Sequence, residues 1–494
     1  MATAVLTGAQ DDVARLIATY AATAPVDLDA RTERAAKAAL IDSLAVAIGA
    51  LEHRAAQAAR RHAYRFATPT GSVLWGTSKR VAPELAALTN GVLLRCYDYN
   101  DFFVGKRNSG HPSDMIGGVV AAAEFVDATG AELLAAIAIG YEVVAAAFDA
   151  LSTAPGGWDY TNLSVLGATC AIARLLRLDA QQTEEALAMT VIPHFASDEI
   201  ESGELNARGD LTMWKRFNGS DAVRNALQAC LLAQVGVEGA VMPFVGKNGF
   251  IAKLKNDAAT ALPVLVERLG DVRVPTRVTE TYMKRWPVGS VGQSAIQAAI
   301  EARAQVSDLA DIAAVRIFAE EGAYDHLVAI RKDPWHPFSR ETADHSLPYI
   351  VAAAVLDGAI TTGSFAPSVV NAPERLAFLN AKVTAAPAPE LGTIAGGKHA
   401  RAEAGYLSRV EIELTDGRIV HGAATPFPGH PRKPFSDADF AAKLKENAEP
   451  YLGVAQTERL TAALFAIDRS GRAADITALL AGTDESTIDS VLAE

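Results

Sequence analysis

CYDYNDFFVGKRNSGHPSDMIGG, residues 96–118, is a polar island in an alanine-, valine- and leucine-rich neighbourhood. It sets Asp98, Asp101 and Asp114 beside Lys106, Arg107 and His111, with a Gly-His-Pro turn between them. Two readings are open. A charged, glycine-bearing surface loop between core helices has no chemistry of its own. A site loop does, and the spacing supports it: Asp98, Asp101 and Phe102 stand i, i+3, i+4, which puts them on one face of a helical turn. Neighbouring carboxylates repel unless cations or a substrate use them. His111 precedes Pro112 and Ser113, and Ser113 is placed to cap a helix running from Met115 to Val126.

Working outward, 494 residues exceed what one core organises and predict two domains. Half of the residues are hydrophobic, and alanine dominates, which favours close-packed helices over sheet. A net charge of −13 argues against nucleic acid, which calls for a basic face, while leaving room for a small anionic substrate in a local field of opposite sign. The three cysteines, Cys96, Cys170 and Cys230, form neither a disulfide framework nor a C-x-x-C pattern, so a reducing, cytoplasmic setting is expected. The first twenty residues carry acids where a signal peptide needs bases, and no uninterrupted apolar run reaches the length of a membrane span. No H-E-x-x-H or paired His/Cys spacing predicts a metal site.

In chain order, helical periodicity marks 11–20, 29–48 and 52–65, and Pro83 opens the helix that leads into 96–118. Thr129-Gly130 splits two helices over 114–150, and 164–178 resumes with Gly167 and Ala168 suited to tight packing. Asp179 starts a further helix, and Asn218 or Ser220 caps the one after Trp214-Lys215-Arg216-Phe217. Near 260 the character changes. β-Branched runs appear at 272–286, 313–319 and 381–386, and SRVEIELTDGRIVHG (408–422) reads as a hairpin about Asp416-Gly417. The expected fold is mainly α: a helical domain over 1–265, a smaller α+β lid domain over 266–425, and C-terminal helices over 426–494 that pack back on the first domain.

D-Y-N-D at 98–101 and G-H-P-S-D at 110–114, followed by I-G-G, resemble the hallmark of the MmgE/PrpD family, whose familiar activities are 2-methylcitrate dehydratase and cis-aconitate decarboxylase. The Trp214-Lys215 doublet, FVGKNGF at 244–250 and DHSLPY at 344–349 resemble further family motifs. The resemblance implies a two-domain, cofactor-independent, homodimeric lyase acting on a small di- or tricarboxylate. It implies catalytic roles for Asp98, His111, Lys215, Lys284 and Tyr349, and substrate contacts from Asp101, Phe102, Arg216, Arg285, Ser290 and His345. His111 would move the proton, with Asp98 orienting it or serving as partner base. Lys215, Lys284 and Arg216 would hold carboxylates, and Tyr349 or His345 would protonate a leaving hydroxyl.

Four basic residues, His111, Lys215, Lys284 and His345, each stand shortly before an expected helix start. Free N–H groups there favour anions, so convergence of several would make a carboxylate receptor. In a helix-rich chain such coincidences also arise by chance. The family typically carries a W-P-x-E-Y-H-S-Q-S-A-like stretch where this chain has Trp286 to Ala295, with Gly289, Ser290 and Val291 in place of the acid, the aromatic and the imidazole. Phe102 stands where the decarboxylases commonly have Thr. Gly289 to Gly292 is then expected to form an anion-holding nest that uses glycine at positive φ. Three functions stay in view: the hydro-lyase or a related decarboxylase, an epimerase or isomerase that returns the proton, and a non-catalytic carboxylate-binding protein.

Overall fold

Among the described residues, the larger layer includes the helices α1 (Asp12–Thr23), α2 (Ala30–Ile48), α3 (Arg54–Tyr64), α4 (Pro83–Arg95), α5 (Ile116–Phe125), α6 (Gly130–Ala150), α7 (Thr161–Leu175), α8 (Ala180–Val191) and α9 (Trp214–Gln234). They belong to a computed structural model that describes residues 10–201, 206–207, 211–270, 274–392, 406–423 and 426–482. Local sequence sets most of the starts. Asp11 and Asp29 accept from the first free N–H groups of α1 and α2. Thr129 with Glu132, and Asp179 with Gln182, form capping boxes at α6 and α8. Pro83 occupies the first turn of α4, where a missing N–H costs nothing.

α6 is apolar around nearly its whole circumference, so it lies in the centre of the core. By length and composition it is the one described helix able to cross a membrane, yet 89% of its apolar window is buried inside the molecule. α6 meets α7 at Gly140 and Gly167: a Cβ on Gly167 would stand 2.3 Å from the Gly140 carbonyl oxygen, so only glycine permits this crossing.

The chain after 280 builds a second core, from Tyr282 through Phe427, around a four-stranded sheet. Val383–Pro387 runs parallel to the central strand Ile312–Ala319, which pairs antiparallel with Ser408–Leu414, itself paired with Ile419–Gly422. Val410, Ile412 and Leu414 alternate inward as their period predicts, and Gly417 turns the hairpin at φ +84°. Helices Gln293–Arg303 and Leu347–Asp357 contribute their buried faces to the same core. The strand expected over 272–286 does not form where the chain is described: Arg277–Glu280 is a 3₁₀ turn, and Tyr282 makes only a single bridge to Phe102. Residues 271–273 lie outside the described residues, as does the last part of the C-terminal tail.

Helix Asp437–Leu452 then returns across α2, and Phe440, Leu444, Ala448 and Leu452 enter the first core. The fold is mainly α with one smaller α+β unit.

Candidate active site

Arg95, at the end of α4, organises the loop that follows it. Its guanidinium donates to Asp98 Oδ1 at 3.0 Å and to Asn100 Oδ1 at 2.8 Å, and it stands 3.5 Å from Asp114. The expected helical turn over 98–102 is therefore absent. Asp98 takes a left-handed conformation, φ +46°, and turns away from Asp101. Lys284 meets it, with Nζ 3.1 Å from Asp98 Oδ1 and donating to the Asp98 carbonyl at 2.7 Å. Burial would push the Asp98 carboxyl up, but Lys284 and Arg95 hold it well below the usual carboxylate range. Burial brings Lys284 down to about 8, against the pull of Asp98.

The Asp101 carboxylate is held by hydrogen bonds within the protein. Oδ1 accepts from the Ser113 N–H at 3.1 Å and Oδ2 from the Tyr141 hydroxyl at 2.7 Å, while burial raises its carboxyl to about 7. Its carbonyl has a different task, lying 2.5 Å from His111 Nδ1. A carbonyl only accepts, so Nδ1 carries the hydrogen. Burial, with Arg95 and Lys284 nearby, keeps the imidazole well below its usual pKa and hence neutral. Nε2 then holds a lone pair, 3.8 Å from Asp98 Oδ1. Ser113 does not cap the next helix: it sits inside a short 3₁₀ turn, Pro112–Met115, with α5 starting at Ile116.

His345 approaches from the second core. Its Nδ1 lies 2.5 Å from Asp344 Oδ1, and its Nε2 lies 3.5 Å from Lys215 Nζ and 3.6 Å from Asp98 Oδ2. Ser346 caps the helix behind it, as the pattern of basic residues expects. Lys215 differs, because α9 begins at Trp214 and the lysine lies within its first turn. Arg216 faces the back of the site, with its guanidinium 3.7 Å from Asp344 Oδ2 and donating to the Arg95 carbonyl. Burial raises the Asp344 carboxyl to about 6, with Arg216 and Arg340 opposing.

A cavity of about 440 Å³ opens beside this cluster, and its lining includes Asp98, Phe102, His111, Lys215, Ser290 and His345, with Lys284, Arg216 and Asp344 behind it. The nest expected at 289–292 is absent: Gly289 has φ −47° and Gly292 φ −90°, and Ser290–Gly292 is a 3₁₀ turn. A Cβ at Gly289 would press on the His345 ring at 3.3 Å. Two residues stand apart from the cluster. Tyr349 is fully buried in the second core, its hydroxyl donating to the Ser364 carbonyl at 2.7 Å. Arg285 points outward, with its guanidinium 3.7 Å from Glu446. Among the described residues, no group of three or more His, Cys, Asp or Glu is arranged to hold a metal ion.

The MmgE/PrpD N-terminal domain model matches residues 15–262, and the C-terminal domain model matches 286–467. The chain belongs to the MmgE/PrpD family. It is 24% identical over 437 residues to cis-aconitate decarboxylase of Mus musculus, covering 85% of this chain and 83% of that one. It is 24% identical over 384 residues to 2-methylcitrate dehydratase of Cupriavidus necator, covering 74% and 75%. An alkylcitrate dehydratase from a fungal species is 25% identical over 314 residues, covering 59% and 58%. These MmgE/PrpD relatives are lyases by name, and small carboxylates are what their names specify. Arg95, Tyr160 and His326 line the cavity without having stood out in the sequence, and Asp344 stood in the DHSLPY stretch with no role assigned to it. Arg95 carried a signal, standing three residues before an acid in an apolar helix. His326, on a π-helical turn, carried none.

Proposed function

We propose that this chain is a hydro-lyase that eliminates water from a small di- or tricarboxylate of the 2-methylcitrate kind. The observation that carries the proposal is the fixed tautomer of His111: a neutral imidazole with its Nε2 lone pair turned to the Asp98 side of a cavity bordered by Lys215 and His345. In that reading His111 Nε2 removes the proton α to a substrate carboxylate. The Lys215 ammonium stabilises the charge that develops on that carboxylate, in a site where burial strengthens the attraction. His345, with Asp344 on its other nitrogen, gives a proton to the departing hydroxyl. Asp98, ionised and tied to Lys284, favours the imidazolium forms that arise during turnover. Localisation in the cytoplasm and a homodimeric state belong to the same proposal.

A specific observation favours a second reading. His111 and His345 both bring Nε2 to the same carboxylate, at 3.8 and 3.6 Å, which is also how two bases would serve an epimerase. Incubation with 2-methylcitrate, citrate and cis-aconitate in deuterated water, followed by NMR, separates the two. Appearance of an alkene, lost by about 10²-fold or more in His111→Ala, supports dehydration. Deuterium uptake with inversion and no alkene would replace it with epimerisation, and loss of CO2 with decarboxylation.

A further inference from the structure

Asp98 and Lys284 lie 186 positions apart in the chain, and neither sits in a helix or strand. The Phe102–Tyr282 bridge joins their two segments four and two residues away, and nearer the pair a further tie is needed. Lys443, on helix Asp437–Leu452, is placed to supply it. Its ammonium is 1% exposed and donates to Asp42 Oδ1 of α2 at 2.6 Å, to the Lys284 carbonyl at 2.9 Å and to the Tyr99 carbonyl at 3.1 Å. An ammonium has three N–H groups, and all three are used. Two of the acceptors belong to Lys284 itself and to the residue after Asp98, so a single buried cation joins the two backbone segments that present the pair. Tyr99 closes the arrangement: its ring lies under the same ammonium at 3.9 Å, and its hydroxyl donates to the Arg285 carbonyl at 2.9 Å. Gln293 fixes the far side of the segment through the N–H groups of Arg285 and Trp286.

We infer that Lys443 is a positioning residue for the reaction: from the C-terminal helix it sets the spacing between Asp98 and Lys284 without touching substrate. This rests on the reading of Asp98 and Lys284 as members of the active centre. The alternative is a purely structural ion pair, and the molecule contains a control for it. Lys37 of α2 pairs with Asp468 and donates to the Phe465 carbonyl, tying α2 to the C-terminal helices without reaching Tyr99 or Lys284.

The test compares Asp42→Asn/Lys443→Met with Lys37→Met/Asp468→Asn in the full chain. Both double variants remove the two charges together, so neither leaves an ion buried alone. For Asp42→Asn/Lys443→Met, kcat falls at least tenfold while KM stays within threefold; for the control pair, kcat stays within twofold at a comparable loss of melting temperature. Equal kcat losses in the two variants, or a kcat within twofold for Asp42→Asn/Lys443→Met, would overturn the inference. A second readout needs no substrate: lysine-selective ¹³C NMR of Lys284, whose pKa burial brings down to about 8, assigned by Lys284→Met. Displacement of that titration by half a unit or more in Asp42→Asn/Lys443→Met, and not in the control, is expected. An unmoved titration would overturn the positioning role even if every carboxylate assayed proved inert, an outcome that would count against the proposed lyase alone.

Discussion

Lys284 shows what burial does to one side chain. Its ammonium is fully buried against Asp98 and loses its proton at about 8 instead of the ordinary 10.5. Between those values the unfolded chain keeps a proton that the folded chain has shed, so this residue makes stability rise with pH across the window from about 8 to 10.5. Activity should move the other way, because the charge facing Asp98 disappears. A pH profile of kcat/KM should fall above about 8, and Lys284→Arg should carry that limb to higher pH or abolish turnover. Tyr349 shows the opposite case. The sequence places it beside His345 in a family-like motif, but its hydroxyl is spent on the Ser364 carbonyl. Tyr349→Phe should keep kcat within about twofold and cost about 1 kcal/mol in denaturant titration, the usual worth of one hydrogen bond.

At the scale of elements, periodicity and most helix starts were readable because they are local, whereas the caps expected of Ser113 and of Asn218 or Ser220 do not form, since Ser113 sits in a 3₁₀ turn and α9 already begins at Trp214. Asp11, Asp29, Thr129 and Asp179 start helices through side chains that reach only two or three residues ahead. The alternation in 408–414 was equally plain. The turn over 98–102 was not, because Arg95 and Lys284 override its helical spacing with ion pairs, one of them from the far half of the chain. Over the described part of the β-branched run, 274–286, no strand forms, and Tyr282 instead stacks on Phe102 with ring centroids 4.6 Å apart. The α6–α7 crossing makes an element-scale prediction. Gly167→Ala puts a methyl group into the Gly140 carbonyl, and equilibrium unfolding should show a loss of about 1–3 kcal/mol, typical of overpacking.

On the scale of the whole molecule, the C-terminal helices are structural partners of the first core rather than an appendage. Removing residues 437–494 would take Phe440, Leu444, Ala448 and Leu452 out of the first core and leave Asp42 buried without its cation. The truncated chain should lose cooperative thermal unfolding and near-ultraviolet circular dichroism, and full activity should not survive. What the sequence by itself determined was the family, the mainly helical class with its smaller α+β unit, and a short list of ionisable residues, because motifs, periodicity and composition are properties of neighbouring positions. Only the tertiary structure decided which of those residues meet. Asp98, His111, Lys215, Lys284 and His345 converge from four separate segments, Arg95 joins them unannounced, and Tyr349 and Arg285 do not. The reason is physical: a buried charge persists only where a counter-charge or hydrogen-bond partner is brought to it. In this chain those partners lie up to hundreds of positions away, so only the packed fold reveals them.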